Sequence, residues 1–272
     1  MNYKILACDL DGTLLDRQGR ISAENLSAIE ELTRLGGYFV PSTGRSYSEL
    51  PAPLAEHPSI RFTICSGGAS LIDRSDMSDH GLLITADEAE AILRTARAYR
   101  CHVTLRVKGK CYQDIAQRSP EAYRAYNLCA PHISVLENYG HAVPSLDGLI
   151  SDGIEMASLF FADEEELRLC EGELCSLGLQ VVNSWSSNIE IFSANAGKGN
   201  ALMKLADLLG IDRGATVAMG DSLNDLSMII SAGLGLAVEN ACAELKEYAD
   251  GVICDNDSHA VRFALNEYFT DK

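Results

Sequence analysis

Asp9 and Asp11 stand two residues apart at the end of a short apolar run, and Gly12 follows directly. On an extended chain such residues share one face, about 6.5–7 Å apart, with Leu10 between them turned toward the core. Gly12 permits a sharp exit turn. Two carboxylates at that separation fit two tasks on one phosphorus atom: one attacks, and the other exchanges a proton with the leaving oxygen. The segment Gly220-Asp221-Ser222-Leu223-Asn224-Asp225 adds two more carboxylates behind a second apolar run. A few carboxylates, with water and a phosphate oxygen, are the set that Mg²⁺ prefers. The cation also relieves repulsion among the acids and neutralises an incoming phosphate. Lys198 opens a helical pattern and can set one ammonium against both Asp9 and a phosphate oxygen. Thr43 and the Gly44 amide are candidate donors to the transferring group. Phosphoryl transfer is mostly positioning and charge neutralisation, so one metal, one lysine and a few donors suffice.

Singly, each piece is weak. Asp-x-Asp-Gly is as often a surface turn, a lone lysine is usually solvated, and Gly-Asp is a common loop. Together, each at a strand end or helix start, they are hard to explain as turns.

The elements that must position them follow from periodicity. Ile5 to Cys8 is apolar without alternation, as a strand buried on both faces should be. Ser22 is a helix N-cap, and Leu26, Ile29, Leu32 and Leu35 follow at helical spacing until Gly36-Gly37. Tyr38 to Val40 and Phe62 to Cys65 predict two further strands of a parallel sheet. Between about Leu83 and Trp185 the rhythm changes. A helix is followed by a hairpin turning at Lys108-Gly109-Lys110, then a strand from Met156 to Phe161, a helix with an acidic first turn from Asp163, and another strand. After Asn188 the α/β rhythm returns, with a helix from Lys198 to Leu209 and a strand from Thr216 to Met219. The expectation is an α/β fold: a Rossmann-like parallel-sheet core from residues 1–83 and 187–272, with an inserted α+β cap over 84–186. Trp185, the only tryptophan, is expected to pack at the hinge.

Composition narrows the partners. The chain has 272 residues, is 47% hydrophobic and carries a formal net charge of −17. Such a surface repels nucleic acid and anionic lipid, and no Lys/Arg run offers a local exception. It would repel a phosphorylated substrate as well, so phosphate chemistry here needs a bound cation. Nine cysteines without a C-x-x-C pair are too sparse for a disulfide scaffold, and buried thiols are the expectation for most of them. The N-terminal apolar stretch is too short for a signal-peptide core, and no run approaches the ~20 apolar residues needed to span a bilayer. A cytoplasmic location is expected. The sequence carries no signal for oligomeric state.

At Asp9-Leu10-Asp11-Gly12-Thr13, Ser42-Thr43-Gly44-Arg45, Lys198-Gly199 and Gly220-Asp221 through Asn224-Asp225, the chain closely resembles the haloacid dehalogenase-like hydrolases. Within them it is most similar to the Cof-type phosphatases with a large α+β (C2-type) cap. The likeness continues through Met228, Ala232-Gly233, Ala237, Asn240-Ala241 and Ala249-Asp250. The resemblance implies that Asp9 is the nucleophile that becomes phosphorylated and Asp11 the general acid, then base. It implies that Asp9, Asp11 (through its carbonyl) and Asp221 hold Mg²⁺, with Asp225 or Asn224 in support. Thr43 and Lys198 would hold the phosphoryl group, with Leu10, Gly44, Arg45 and Asn224 near the phosphate, and the cap would close over the site. Arg45 has two open uses, a substrate contact or a salt bridge within its loop. Relatives usually carry Asn-Gly-Ala where this chain has Gly67-Gly68-Ala69, and Gly-Val-Ala where it has His259-Ala260-Val261.

The expected activity is Mg²⁺-dependent hydrolysis of a small phosphorylated metabolite, a sugar phosphate or a phosphorylated cofactor, through an aspartyl-phosphate. A phosphomutase or phosphotransferase with the same nucleophile is the first alternative. A catalytically idle binding protein is the second, and retention of Asp9, Asp11, Lys198 and Asp221 argues against it. Specificity is expected in cap loops around Arg106 to Tyr112 and Arg118 to Tyr126.

Overall fold

Four consecutive buried residues, Ile5–Cys8, form the strand from which the site grows. In the computed structural model, which describes residues 3–270 without the side chains of Ser184 and Trp185, this strand lies inside a five-stranded parallel sheet. The expected packing of Trp185 thus lies outside the described residues. The sheet order is Gly251–Val252, Leu234–Ala237, Thr216–Gly220, Ile5–Cys8, Tyr38–Pro41. Cys8 is in register with Met219 on one side and Pro41 on the other. The three strands therefore end level, and the residues that follow them emerge along one carboxyl edge, where open parallel sheets bind ligands.

Local chemistry explains the flanking helices. Ala23–Arg34 starts where the Ser22 hydroxyl accepts the Asn25 N–H and buries Ala28, Ile29 and Leu32. Lys198–Leu209 buries Ala201, Leu202, Leu205 and Ala206, and it ends at Gly210 in the left-handed conformation.

One expected strand falls elsewhere. Phe62–Cys65 is not a member of the parallel sheet; it pairs antiparallel with Ser70–Asp73, which pairs with Ser78–Asp79. A single parallel bridge, Ser42 to Ile64, links it to the larger sheet. Gly67, at φ 64 and ψ 18, lets the short turn Ser66–Gly68 reverse the chain, so Ser70–Asp73 runs straight back. Asn tolerates this left-handed region better than most side chains, so Gly67 and the Asn of relatives suit the same turn.

The chain divides into two compact units: Met1–Arg45, Leu50–Gly81 and Gly197–Lys272 form the first, Ser46–Glu49 and Leu82–Ala196 the second. The second holds a six-stranded sheet in the order Gln180–Trp185, Asn188–Phe192, Ile154–Phe161, Cys101–Val107, Lys110–Asp114, Gly140–Val143. Its hairpin turns at Lys108 (φ 50) and Gly109 (φ 72), two positive values that suit the twist of paired strands. Asn188–Phe192, assigned by the sequence reading to the α/β segment, pairs with Gln180–Trp185 and Ile154–Phe161 in this sheet. Its Ile189 and Ile191 join Leu105, Leu159, Ile92 and Leu174 in one apolar core. The helices Pro120–Ala125 and Ala130–Asn138 were not foreseen; both are short and give little periodic signal. Among the described residues no helix is long and apolar enough to cross a membrane. The nine cysteines are free thiols.

Candidate active site

Asp9 follows the Ile5–Cys8 strand directly and is 4% exposed. Its carboxylate accepts a hydrogen bond from the Lys198 ammonium at 2.7 Å, and the same ammonium donates to Asp225 at 2.6 Å. Lys198 and Asp225 are buried as completely as any core residue. Burial pushes the Asp9 carboxyl up to about 7, with Lys198 opposing and Asp225 adding to the rise. Burial alone would lower Lys198, yet Asp9 and Asp225 outweigh it and hold the ammonium well above the usual lysine range. Cys8, beside Asp9, is raised by burial and by the Asp9 charge, so it stays an inert thiol.

Asp225 is more than a fourth acid. Its second oxygen accepts the N–H groups of Asp221 (3.0 Å) and Ser222 (3.2 Å), so it fixes Lys198 and the loop that carries Asp221 at once. The sequence places Asp225 in the set through its spacing from Asp221, but nothing in that spacing shows its bond to Lys198.

Asp221 is partly buried, and burial together with Asp225 pushes its carboxyl up to about 6. The Thr13 hydroxyl donates to it at 3.4 Å. Gly12 lies against it in a left-handed conformation (φ +88), where an added Cβ would come within 2.8 Å of the Asp221 carboxyl carbon. Oxygens of Asp9, Asp221 and Asp225 all lie within 4.8 Å of one another. Three carboxylates against one ammonium leave a buried surplus of negative charge, so this set could hold a divalent cation.

Asp11 sits differently from Asp9. The strand ends at Cys8, and the Leu10 carbonyl accepts the N–H groups of Thr13, Leu14 and Leu15. The two carboxylates are thus spaced by a tight turn rather than by the strand repeat. The Asp11 side chain is 60% exposed and is held by Arg45, with Nε at 2.8 Å and Nη2 at 2.6 Å on its two oxygens. Arg45 thus forms a salt bridge, but to Asp11 on another loop rather than within its own.

Thr43 is buried; its hydroxyl accepts the Arg45 N–H at 3.1 Å and so keeps its proton to donate. Gly44 has open space where a Cβ would stand. The Leu10 side chain is fully buried, which leaves only its backbone for a ligand. Asn224 is exposed and accepts from the Ser222 hydroxyl at 2.8 Å, outside the Asp9–Lys198–Asp225 group. Sequence reasoning counted Asn240 as part of the likeness but gave it no role, yet its side-chain amide donates to the Gly12 carbonyl at 2.7 Å.

The family model of the haloacid dehalogenase-like hydrolases matches residues 6–265. A 5-amino-6-(5-phospho-D-ribitylamino)uracil phosphatase of Bacillus subtilis is 32% identical, over 97% of this chain and 97% of its own. A second phosphatase of that organism is 30% identical, over 95% and 97%. A solved haloacid dehalogenase-like hydrolase from B. subtilis shares 28% identity with a TM-score of 0.77, covering 97% of this chain and 99% of that one. This chain belongs to the haloacid dehalogenase-like hydrolases.

Proposed function

We propose that this enzyme is a Mg²⁺-dependent phosphatase of small phosphorylated metabolites, acting through an aspartyl-phosphate on Asp9. The observation that carries the reading is the buried Asp9–Lys198–Asp225 group beside Asp221, at the carboxyl edge of the sheet. Asp9, Asp221 and Asp225 fit a divalent cation by charge and donor type, and a bound Mg²⁺ supplies neutralisation to the transferring phosphoryl group.

An Asp9 oxygen attacks phosphorus while the bond to the leaving oxygen breaks, and Asp11, entering the cycle in its protonated form, gives that oxygen its proton. Asp11, now a carboxylate, takes a proton from water. The water oxygen bonds to phosphorus, and the bond to Asp9 breaks, releasing inorganic phosphate and the free carboxylate. Lys198 holds Asp9 in its attacking orientation. Thr43 and the Gly44 backbone donate to the phosphoryl oxygens.

The substrate class rests on the relatives. Besides the ribitylaminouracil phosphate phosphatase, an HMP-PP phosphatase of Yersinia enterocolitica is 27% identical over 90% of this chain. We place the substrate among phosphorylated sugars, ribityl compounds and cofactor precursors. The free cysteines favour a reducing compartment such as the cytoplasm.

The test is inorganic phosphate release from a panel of such esters, with Mg²⁺ and with chelator, using Asp9→Asn as control. Turnover that requires both the cation and Asp9 supports the reading. A folded, Mg²⁺-binding protein that releases no phosphate from any ester overturns it, and an isomeric ester as product assigns phosphoryl transfer instead.

A further inference from the structure

Two asparagines bridge the turn that follows Asp9. The Asn240 side-chain N–H donates to the Gly12 carbonyl at 2.7 Å, and its side-chain oxygen accepts the Asn256 N–H at 2.9 Å. The buried Asn256 side chain then donates to the Leu15 carbonyl at 2.7 Å. The segment around Asn240 is itself fastened to the metal-site loop: the Val238 N–H donates to the Gly220 carbonyl and the Cys242 N–H to that of Asp221. Asn240 therefore stands on a base anchored to Asp221 and reaches across to hold the turn bearing Asp11.

We propose that Asn240 is a positioning residue for the cation site, fixing the Asp11–Thr13 turn against Asp221 without touching substrate. This rests on the phosphatase reading above. Gly12 already lies in van der Waals contact with the Asp221 carboxylate, and Thr13 donates to it. Rotating the Gly12 peptide would shift both the Asp11 carbonyl and the Thr13 hydroxyl relative to Asp221. A primary amide suits the task because it offers a donor and an acceptor in one fixed plane. The side chain is exposed, so its hydrogen bond adds little to folding. A displacement of a fraction of an ångström at a reacting centre, in contrast, costs a large part of the rate.

The test compares Asn240→Ala and Asn240→Leu with the wild type. Mg²⁺ affinity is measured by calorimetry without substrate, kcat and KM by phosphate release, and melting temperature in chelator. Positioning predicts Mg²⁺ affinity and kcat each lower by roughly tenfold, KM within about twofold, and melting within about 3 °C of the wild type. Thr13→Val combined with Asn240→Ala should lose less Mg²⁺ affinity than the two single losses together, because both act on one turn. Unchanged Mg²⁺ affinity overturns the proposal. So does a melting temperature that falls in step with activity, which would make Asn240 a structural staple. If the wild type itself releases no phosphate, the phosphatase reading fails while calorimetry still decides the role of Asn240.

Discussion

Arg45 grips Asp11 through both carboxylate oxygens, at 2.8 and 2.6 Å, although the Asp11 side chain is 60% exposed. The fork fixes the plane of the group assigned to proton exchange. An ion pair so exposed contributes at most about 1 kcal/mol to folding, so its use lies in orientation. Arg45→Ala should lower kcat by roughly tenfold, and Arg45→Lys by nearly as much, because an ammonium cannot hold two oxygens in a plane. Asp11→Asn should cost about 10²–10⁴ in rate. Adding Arg45→Ala to Asp11→Asn should cost nothing further, and steady-state phosphate release on the four proteins checks this.

Lys198 is the only cation bonded to Asp9 and Asp225 among the described residues. Removing one partner of a buried charge group typically costs about 3–5 kcal/mol. Lys198→Met should therefore lower the melting temperature in chelator by roughly 10 °C for a chain of this size. Lys198→Met combined with Asp9→Asn should recover part of that loss, since it removes one uncompensated charge. Scanning calorimetry reads both.

The acids of the site hold protons that an unfolded chain would release. Asp9 is pushed up to about 7 and Asp221 to about 6, against an ordinary value of 3.8. A carboxyl raised on folding gives stability that is present below pH 4 and is lost as pH rises through its folded value. Metal-free protein should thus lose stability from these groups between about pH 4 and 7. A cation must displace the same protons, so stabilisation by Mg²⁺ should grow across that window. Melting curves from pH 4 to 8, with Mg²⁺ and with chelator, should diverge as pH rises.

Gly12 and Gly67 both have positive φ, +88 and +64, but only Gly12 is pressed against the Asp221 carboxylate. Gly12→Ala should abolish Mg²⁺ binding and cost about 1–3 kcal/mol in strain. Gly67→Asn should change stability by less than about 1 kcal/mol, because Asn accepts the left-handed region. Chemical denaturation of the two variants separates the cases.

Much of the site was legible because its parts are punctuation. Asp9, Thr43 and Asp221 each follow an apolar strand, and Lys198 opens an amphipathic helix, so order along the chain implied a shared edge. The Asp225 bond to Lys198 was not legible, since spacing alone cannot say which partner a buried acid takes. The Asn240 bond to Gly12 spans 228 residues and leaves no local trace. In the fold, the antiparallel return of Ser70–Asp73 was missed because Gly67-Gly68 marks a turn without specifying its direction. The extent of the second unit's sheet was misread at Asn188–Phe192, where a short apolar strand fits either sheet by pattern alone.

The sheet order also sets a timetable for synthesis. Ile5–Cys8 is flanked by Tyr38–Pro41, made almost at once, and by Thr216–Gly220, made about 200 residues later, which at ribosomal speed is on the order of 10–40 s. Through that interval the most apolar strand of the nascent chain keeps an open edge, the kind of edge on which chains pair with one another. The second unit, nearly continuous in sequence, leaves the ribosome before that edge is closed. Asp9 is among the first residues translated and Lys198 lies in the last third, so a chain terminated before Lys198 lacks the buried Asp9–Lys198 pair.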